Sequence, residues 1–138
     1  MEQDKVYRHK LKVLSDAFKS FEDSLDIKLE KFNENEKDAI KNGQIQKFEY
    51  CAELLWKVLQ AYINEEIGED ISGPKPAIKA SFRHGLLNKD EYQSVLEMID
   101  VRNQLAHIYD ENKFEEFYKK INVFHKVMKG VLKRLTSK

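Results

Sequence analysis

The sequence predicts an all-α protein: an up-and-down four-helix bundle with one additional short helix. Through most of the 138 residues, apolar side chains recur in steps of three and four, as they do along the packed face of an α-helix. No stretch alternates apolar and polar residues over the length of a strand. The length suits a single helical domain, residues 1–138, with a core of its own.

The first helix is predicted from about Asp4 to Phe32. Its apolar positions are three, four or seven residues apart, which is typical of a helix in a bundle. The polar stretch from Asn33 to Gly43 ends in Asn42-Gly43, a dipeptide typical of turns, so we expect a turn there. The predicted core residues of this helix are Leu11, Leu14, Phe18, Phe21, Leu25 and Phe32.

A second helix is predicted from about Gln44 to Glu66, and the one long loop follows it. The loop, Ile67 to Pro76, contains two glycines and two prolines, which interrupt helices. A short helix then begins near Pro76 and stops at Gly85, a residue suited to a left-handed C-cap. The predicted core residues of the second helix are Phe48, Ala52, Leu55, Leu59 and Tyr62.

Two more helices complete the predicted bundle. The fourth helix runs from Asp90 to Glu111, with Asn103 near the middle of its apolar stripe and Arg102 and His107 on the two shoulders. We therefore expect these polar groups to lie on a buried face, with the amide against other protein. The last helix starts after Asn112 and has the most regular pattern in the chain. Its apolar positions are Phe114, Phe117, Ile121, Phe124, Met128, Val131 and Leu135.

Composition and charge narrow the class of protein. Charged residues make up 35% of the chain and hydrophobic residues 41%, which is typical of a folded helical protein rather than a disordered one. The formal net charge is zero, which argues against a surface that coats extended polyanions. A single cysteine, Cys51, excludes an internal disulfide and a cysteine-based zinc cluster. Because no signal-like segment or long apolar run is present, we expect a cytoplasmic protein that does not bind membranes.

The sequence predicts neither a metal site nor a bound cofactor. His9, His84 and His125 lack metal-ligand spacing with one another or with Cys51. The glycines of the long loop are not followed by Gly-Lys-Ser/Thr, so they do not form a phosphate-binding loop. Nucleotide chemistry by this chain alone is therefore not expected.

The fourth helix contains the main candidate site, Arg102-x4-His107-x-Tyr109, with Asn103 directly after the arginine. Burying a guanidinium, an amide and an imidazole is costly unless each is hydrogen-bonded, so these groups either stabilise the fold or serve a function. The pattern alone is weak, because these residue types occur at such spacings in many helices. On the residues alone the structural interpretation is the commoner one: the amide caps a neighbouring backbone, the guanidinium pairs with a carboxylate and the imidazole is hydrogen-bonded in the core.

The motif, in its place late in the predicted bundle and after a short helix, resembles the HEPN superfamily. The hallmark of that superfamily is R-x4-6-H with a polar residue after the arginine. Within it, the chain is most similar to the nucleotidyltransferase substrate-binding proteins, also known as HepT-like toxins, which carry R-N-x-x-x-H-x-Y. The resemblance covers nearly the full length and is specific at Arg102, Asn103, His107 and Tyr109.

The resemblance implies a homodimer whose motif helices face each other, so that two copies of Arg102 and His107 line one cleft. In many members such a cleft is a metal-independent ribonuclease. In that role His107 would move a proton during attack by the ribose 2′-OH, Arg102 would hold the scissile phosphate, and Asn103 would have a positioning role. On one straight helix Arg102 and His107 lie about 140° apart, so a site built across the two-fold axis would bring them together.

The resemblance also implies a separately encoded partner, a minimal nucleotidyltransferase that acts as antitoxin or as catalytic subunit. In pairs of this kind the motif tyrosine can receive AMP, and Tyr109 is the matching position. The attached phosphate would lie about two turns from Arg102, where it could pair with the guanidinium and block an RNA phosphate. The alternative is that Tyr109 merely packs at the helix end.

Two functional hypotheses therefore stand beside the structural one. In the first, the chain is a dimeric ribonuclease toxin that cleaves RNA, either tRNA or mRNA. In the second, it is a non-catalytic substrate-binding subunit of a two-component nucleotidyltransferase. A cleft built for phosphate would serve either function, so the sequence leaves both open.

Overall fold

The computed structural model describes residues 5–107 and 110–138, and most of both ranges is helical. No strand occurs in either range, which confirms the all-α prediction. In the same ranges, no helix combines the length and the apolar character that a membrane crossing requires. The α-helices of these ranges are, in order, α1 (Lys5–Leu25), α2 (Glu34–Tyr62), α3 (Pro74–Arg83), α4 (Lys89–Leu105), α5 (Glu111–Tyr118) and α6 (Ile121–Thr136).

Four of these helices form the predicted bundle around one core. The first helix, α1, packs against α2 and α6, and α4 packs against the same two helices, so the four surround a shared interior. The short α3 links α2 to α4 and packs against both. Full burial of a large apolar side chain stabilises the fold by about 1.5–3 kcal/mol. The fully or almost fully buried side chains include Tyr7, Phe21, Phe48, Met98, Ile121 and Phe124.

The first helix is shorter than predicted and ends at Leu25. A single 3-10 turn at Leu29–Lys31 follows, and the backbone is extended at Phe32. The buried Gln44 side chain donates to the Ser24 carbonyl oxygen at 2.8 Å and satisfies one of the open carbonyl groups at the end of α1. Because Phe32 lies beyond this end and is 37% exposed, the prediction that it joins the packed stripe is wrong.

The predicted turn at Asn42-Gly43 is also wrong, because α2 runs through it. Asn33 begins this helix with a capping box: its side chain accepts a hydrogen bond from the Glu36 amide, and the Glu36 carboxylate accepts one from the Asn33 amide, both at 2.9 Å. The Asn42 side chain donates to the Asp38 carbonyl oxygen at 2.8 Å, within the helix. The cap and the packing of the following turns therefore outweigh the turn tendency of Asn-Gly.

The connection between α2 and α3 is the predicted long loop. The chain continues from α2 into one π-helical turn, Ile63–Ile67, and Gly68 ends this turn with a φ of 87°. The next helix, α3, begins at Pro74, slightly before the predicted Pro76. Gly85 has a φ of 78°, which confirms the predicted left-handed conformation after α3.

The last predicted helix is two helices, α5 and α6, separated by a tight turn. The Asp110 carboxylate accepts a hydrogen bond from the Asn112 amide at 2.8 Å and so caps α5. Phe117 and Ile121 are buried on the two sides of the tight turn. The apolar periodicity therefore continues across the break, which is why the sequence pattern does not reveal it.

Candidate functional site

The candidate motif lies at the C-terminal end of α4. Arg102 and Asn103 are in the last turn of the helix, which ends at Leu105. His107 follows in a turn, and its backbone N–H donates to the Gln104 carbonyl oxygen at 3.0 Å. The motif therefore extends from the helix into the segment that leads to α5.

One expectation about this segment is wrong, and another stays a prediction. Because the helix stops at Leu105 and does not continue to the predicted Glu111, the angle of about 140° that a straight helix places between Arg102 and His107 does not apply. Tyr109, the expected AMP acceptor, lies outside the described residues.

Three of the motif side chains, Arg102, Asn103 and His107, reach solvent in the single chain. Asn103 and His107 are exposed, and Arg102 is half-exposed. The predictions of a buried Asn103 amide and of a core His107 imidazole are wrong for this chain, because the buried positions of α4 end at Val101. Helical periodicity fixes which face of α4 points inward, but the core stops before that face reaches Asn103.

Two side chains hold Arg102. Its Nη2 lies 3.1 Å from Glu53 Oε1 on α2, and its Nη1 donates to the side-chain oxygen of Asn103 at 3.3 Å. A guanidinium has five N–H donors in one plane, so these two contacts leave further donors for a ligand. Through this hydrogen bond, the Asn103 side chain can orient the Arg102 guanidinium.

Glu53 is shared by three neighbours. Besides Arg102, the indole Nε1 of Trp56 donates to its Oε1 at 3.2 Å, and its Oε2 lies 3.2 Å from Lys57 Nζ. Burial raises the pKa of Glu53, but the hydrogen bonds from Trp56 and Lys57 and the charge of Arg102 lower this pKa more, so it lies below its ordinary value. The carboxylate is therefore ionised at neutral pH and fixed beside the arginine.

One turn earlier on α2, Glu49 is perturbed in the opposite direction. Its carboxyl is partly buried, and burial raises its pKa although the charge of Arg102 acts to lower it. A surface cavity of about 210 Å³ lies beside the end of α4. This volume is below the roughly 300 Å³ at which small-molecule sites begin, so the single chain offers too little room here for a whole nucleotide. The cavity is lined by Asn42, Ile45, Gln46, Glu49, Leu105 and Phe114.

Among the described residues, no hydrogen bond joins Arg102 to His107; the side-chain contacts of the arginine go to Glu53 and Asn103. That the two expected catalytic groups share one cleft stays a prediction. Within the described part of the chain, no group of three His, Cys, Asp or Glu side chains is placed to hold a metal ion.

Sequence analysis missed Glu53. Its spacing to Lys57, one helical turn later, is a signal for an ion pair on the helix surface. Nothing in the sequence identifies Arg102 as the third partner, because it lies on another helix and the contact depends on how α2 and α4 pack.

Comparisons with known proteins agree with this fold. A family model described as "Nucleotidyltransferase substrate binding protein like" matches residues 9–137. A crystal structure of a Thermus thermophilus protein is similar, with 28% sequence identity and a TM-score of 0.78 over 88% of this chain and 98% of that one. A Haemophilus influenzae protein, also 28% identical, has a TM-score of 0.73 over 91% of this chain and 98% of its own, and its structure is described as revealing the fold of a substrate-binding domain of a nucleotidyltransferase.

No protein in a search of curated sequences matches this one significantly. The family model nevertheless covers nearly all of the chain, and it confirms the part of the resemblance that concerns nucleotidyltransferase substrate-binding proteins. The chain belongs to the nucleotidyltransferase substrate-binding-protein-like family.

Proposed function

We propose that the chain is a HEPN-type subunit that pairs with a separately encoded minimal nucleotidyltransferase, and that it is the metal-independent ribonuclease toxin of a toxin–antitoxin pair. The proposal rests on one observation above all: at the end of α4, Asn103 and His107 are exposed and Arg102 is half-exposed, so these three side chains are not buried in the core. The structural interpretation fits Arg102, which pairs with the Glu53 carboxylate, but it does not fit Asn103 and His107, which are exposed.

The residue types suit RNA cleavage. The ribose 2′ oxygen attacks the adjacent phosphorus, and the bond from phosphorus to the 5′ oxygen breaks, which leaves a 2′,3′-cyclic phosphate and a 5′ hydroxyl. A base takes the proton of the 2′ hydroxyl, and the leaving 5′ oxygen gains one. We assign proton transfer to His107, because imidazole is the side chain suited to it near neutral pH. Arg102 holds the scissile phosphate and the charge that develops on it, and Asn103 orients the guanidinium.

The proposed active form is a homodimer in which the ends of α4 face each other. The contacts of Arg102 within its own chain lead to Glu53 and Asn103, not to the imidazole five residues later. A two-fold axis at this end of the bundle would place Arg102 of one subunit beside His107 of the partner subunit. Dimerisation is therefore part of the proposed mechanism.

The nucleotidyltransferase is proposed as the antitoxin, and Tyr109 as its target. The phenol would give up its proton to a base, its oxygen would attack the α-phosphorus of ATP, AMP would become attached to the tyrosine, and pyrophosphate would leave. The added phosphate could then pair with Arg102, seven residues earlier in the chain, and compete with RNA.

A second candidate function is that of a non-catalytic substrate-binding subunit of a two-component nucleotidyltransferase. The description of the Haemophilus influenzae structure favours this alternative. In this case Arg102 would bind a phosphate of the substrate that the transferase modifies, and no RNA would be cleaved.

The deciding experiment uses the purified chain without the nucleotidyltransferase and with metal ions chelated. Total RNA and tRNA are incubated with wild-type protein and with the His107→Ala variant, whose folding is checked by circular dichroism. We expect the wild type to cleave RNA and the variant to lose at least about 100-fold in rate.

The controls separate the two candidate functions. Size-exclusion chromatography must show that the wild type is dimeric, and intact mass must show that Tyr109 carries no AMP. If a dimeric, unmodified wild type leaves RNA intact, the ribonuclease proposal fails, and the substrate-binding function replaces it.

A further inference from the structure

Two cationic side chains from different helices share one carboxylate: Arg102 of the motif, on α4, and Lys57, on α2. Glu53 Oε1 is 3.1 Å from Arg102 Nη2, and Glu53 Oε2 is 3.2 Å from Lys57 Nζ. One carboxylate therefore holds both cations, one on each of its oxygens. Because these oxygens share a single carbon, the guanidinium and the ammonium are kept close together on the same surface.

The charges around this carboxylate do not cancel. Arg102 and Lys57 carry two positive charges, and Glu53 supplies one negative charge between them. Glu49 also lies near Arg102, and burial raises its pKa although the charge of Arg102 acts to lower it. Arg102, Lys57 and Glu53 thus carry one net positive charge between them, on a chain whose net charge is zero.

Lys57 is also accessible. Its side chain is 41% exposed, and among the described residues its ammonium pairs with the Glu53 carboxylate alone. An ammonium has three N–H donors, so at least one remains for a ligand. Its neighbour Trp56 donates to Glu53, which keeps the shared carboxylate, and hence the spacing of the two cations, in place.

We propose that Lys57 is a second phosphate-binding residue, which holds the RNA phosphate next to the one that Arg102 holds. This inference deepens the proposed ribonuclease function and rests on it. The substrate site would then extend from the end of α4 onto α2. Its ligand would be an RNA strand with consecutive phosphates rather than a single phosphate group. Neutralising one more phosphate increases both the affinity and its salt dependence.

The test measures binding without cleavage. A short fluorescein-labelled RNA with 2′-O-methyl groups has no attacking hydroxyl, so its affinity can be followed by fluorescence anisotropy between about 50 and 200 mM salt. For Lys57→Gln we expect an affinity several-fold lower than that of the wild type and a plot of log affinity against log salt whose slope is smaller by about 0.7. Lys57→Arg keeps the charge and should retain the wild-type slope.

Lys19→Gln is the matched control. Lys19 also forms an ion pair with a carboxylate four residues away, at 2.7 Å from Asp23, but it lies on α1. The control should bind RNA with the wild-type affinity and slope, and circular dichroism should show native helicity for every variant. A Lys57→Gln protein with wild-type affinity and slope would overturn the inference.

The two proposals fail in different ways. If the wild type cleaves natural RNA while Lys57→Gln binds the 2′-O-methyl RNA as the wild type does, only the role of Lys57 is wrong. If the wild type neither cleaves RNA nor binds the 2′-O-methyl RNA, the proposed function and this inference are both wrong.

Discussion

Each end of α4 has an arginine–glutamate pair, and the two pairs differ in how far their hydrogen-bonding groups are accessible to a ligand. At the beginning of the helix, Arg134 from α6 donates to the Glu91 carboxylate through Nη1 and Nη2, at 2.6 and 3.0 Å. Its Nη1 also donates to the Leu86 carbonyl oxygen at 2.7 Å. At the end of the helix, Arg102 makes one contact with Glu53, at 3.1 Å.

The exposure of the carboxylates, not of the arginines, separates the two pairs. Both arginine side chains are 37% exposed, whereas the Glu91 side chain is 13% exposed and that of Glu53 is 27% exposed. Glu91 also completes the capping box with Asn88, so its oxygens are used within the fold. The same two residue types thus form a closed structural bridge at one end and an open, ligand-accessible pair at the other.

The largest expected effect tests the open pair. Arg102→Gln should lower the rate of RNA cleavage by about 100-fold or more, because it removes the group that we propose to stabilise the charged phosphate. The free energy of unfolding should change by less than about 1 kcal/mol, since the ion pair is half-exposed. Cleavage assays and urea denaturation measure the two quantities. If Arg102→Gln instead unfolds at a much lower urea concentration but cleaves RNA normally when folded, the pair of Arg102 and Glu53 would be structural rather than functional.

The closed pair should respond in the opposite way. Arg134→Gln should lower the free energy of unfolding by about 2 kcal/mol, because a bidentate bridge and a bond to a carbonyl oxygen are lost and a largely buried carboxylate loses its partner. The rate of RNA cleavage per folded molecule should stay at the wild-type value. Urea denaturation at neutral pH is the measurement, and an unchanged midpoint would show that the bridge contributes nothing.

A smaller effect is expected for Glu53→Gln. Without the carboxylate, Arg102 loses its fixed position, and we expect cleavage to slow by about tenfold. RNA affinity should stay the same or rise, because a negative charge is removed from the site. Steady-state kinetics would show this as a lower kcat without a higher KM. Glu97→Gln, which removes another exposed ion pair with a lysine, is the control and should change neither constant.

The smallest expected effect concerns pH. The pKa of Glu53 is lowered, so its contribution to stability is present above the ordinary carboxyl value of 4.5 and is lost as the pH falls through its folded pKa. The pKa of Glu49 is raised, so its contribution is present at low pH and is lost as the pH rises through its folded pKa. The two residues lie one helical turn apart on α2, so a substitution at each can serve as the control for the other.

Relative to Glu53→Gln, the wild type should therefore lose stability as the pH falls below 4.5; relative to Glu49→Gln, it should gain stability as the pH falls from about 7 toward 4.5. Urea denaturation across this range measures both differences, which should be small because both groups are only partly buried. Shifts of the same sign for the two variants would contradict the assigned electrostatics.

The fold could be predicted from the sequence because its core follows helical periodicity closely. Phe18, Phe48 and Phe124 recur at the expected spacings and are buried. The errors fall where a local signal competes with longer-range packing. Asn42-Gly43 is a turn dipeptide by itself, but it lies inside a helix that is capped before it and packed after it.

A candidate site can be proposed from the sequence, but its surroundings cannot be predicted. The motif pattern identifies Arg102 and His107, and periodicity indicates which face of α4 is apolar. Neither tells where the neighbouring helices end, and this decides that Asn103 is exposed. The Glu53 contact depends on the packing of α2 against α4, which no spacing along one helix reveals.

Gly43 offers a practical route to a more robust protein. It lies in the interior of α2, and a methyl group added at this position would meet no atom within 4 Å apart from its chain neighbours and the backbone of its own helix. Glycine inside a helix carries an entropic penalty, so alanine here should raise the thermodynamic stability by about 0.5–1 kcal/mol. A Gly43→Ala background would thus tolerate the more disruptive substitutions and widen the range of variants that can be purified.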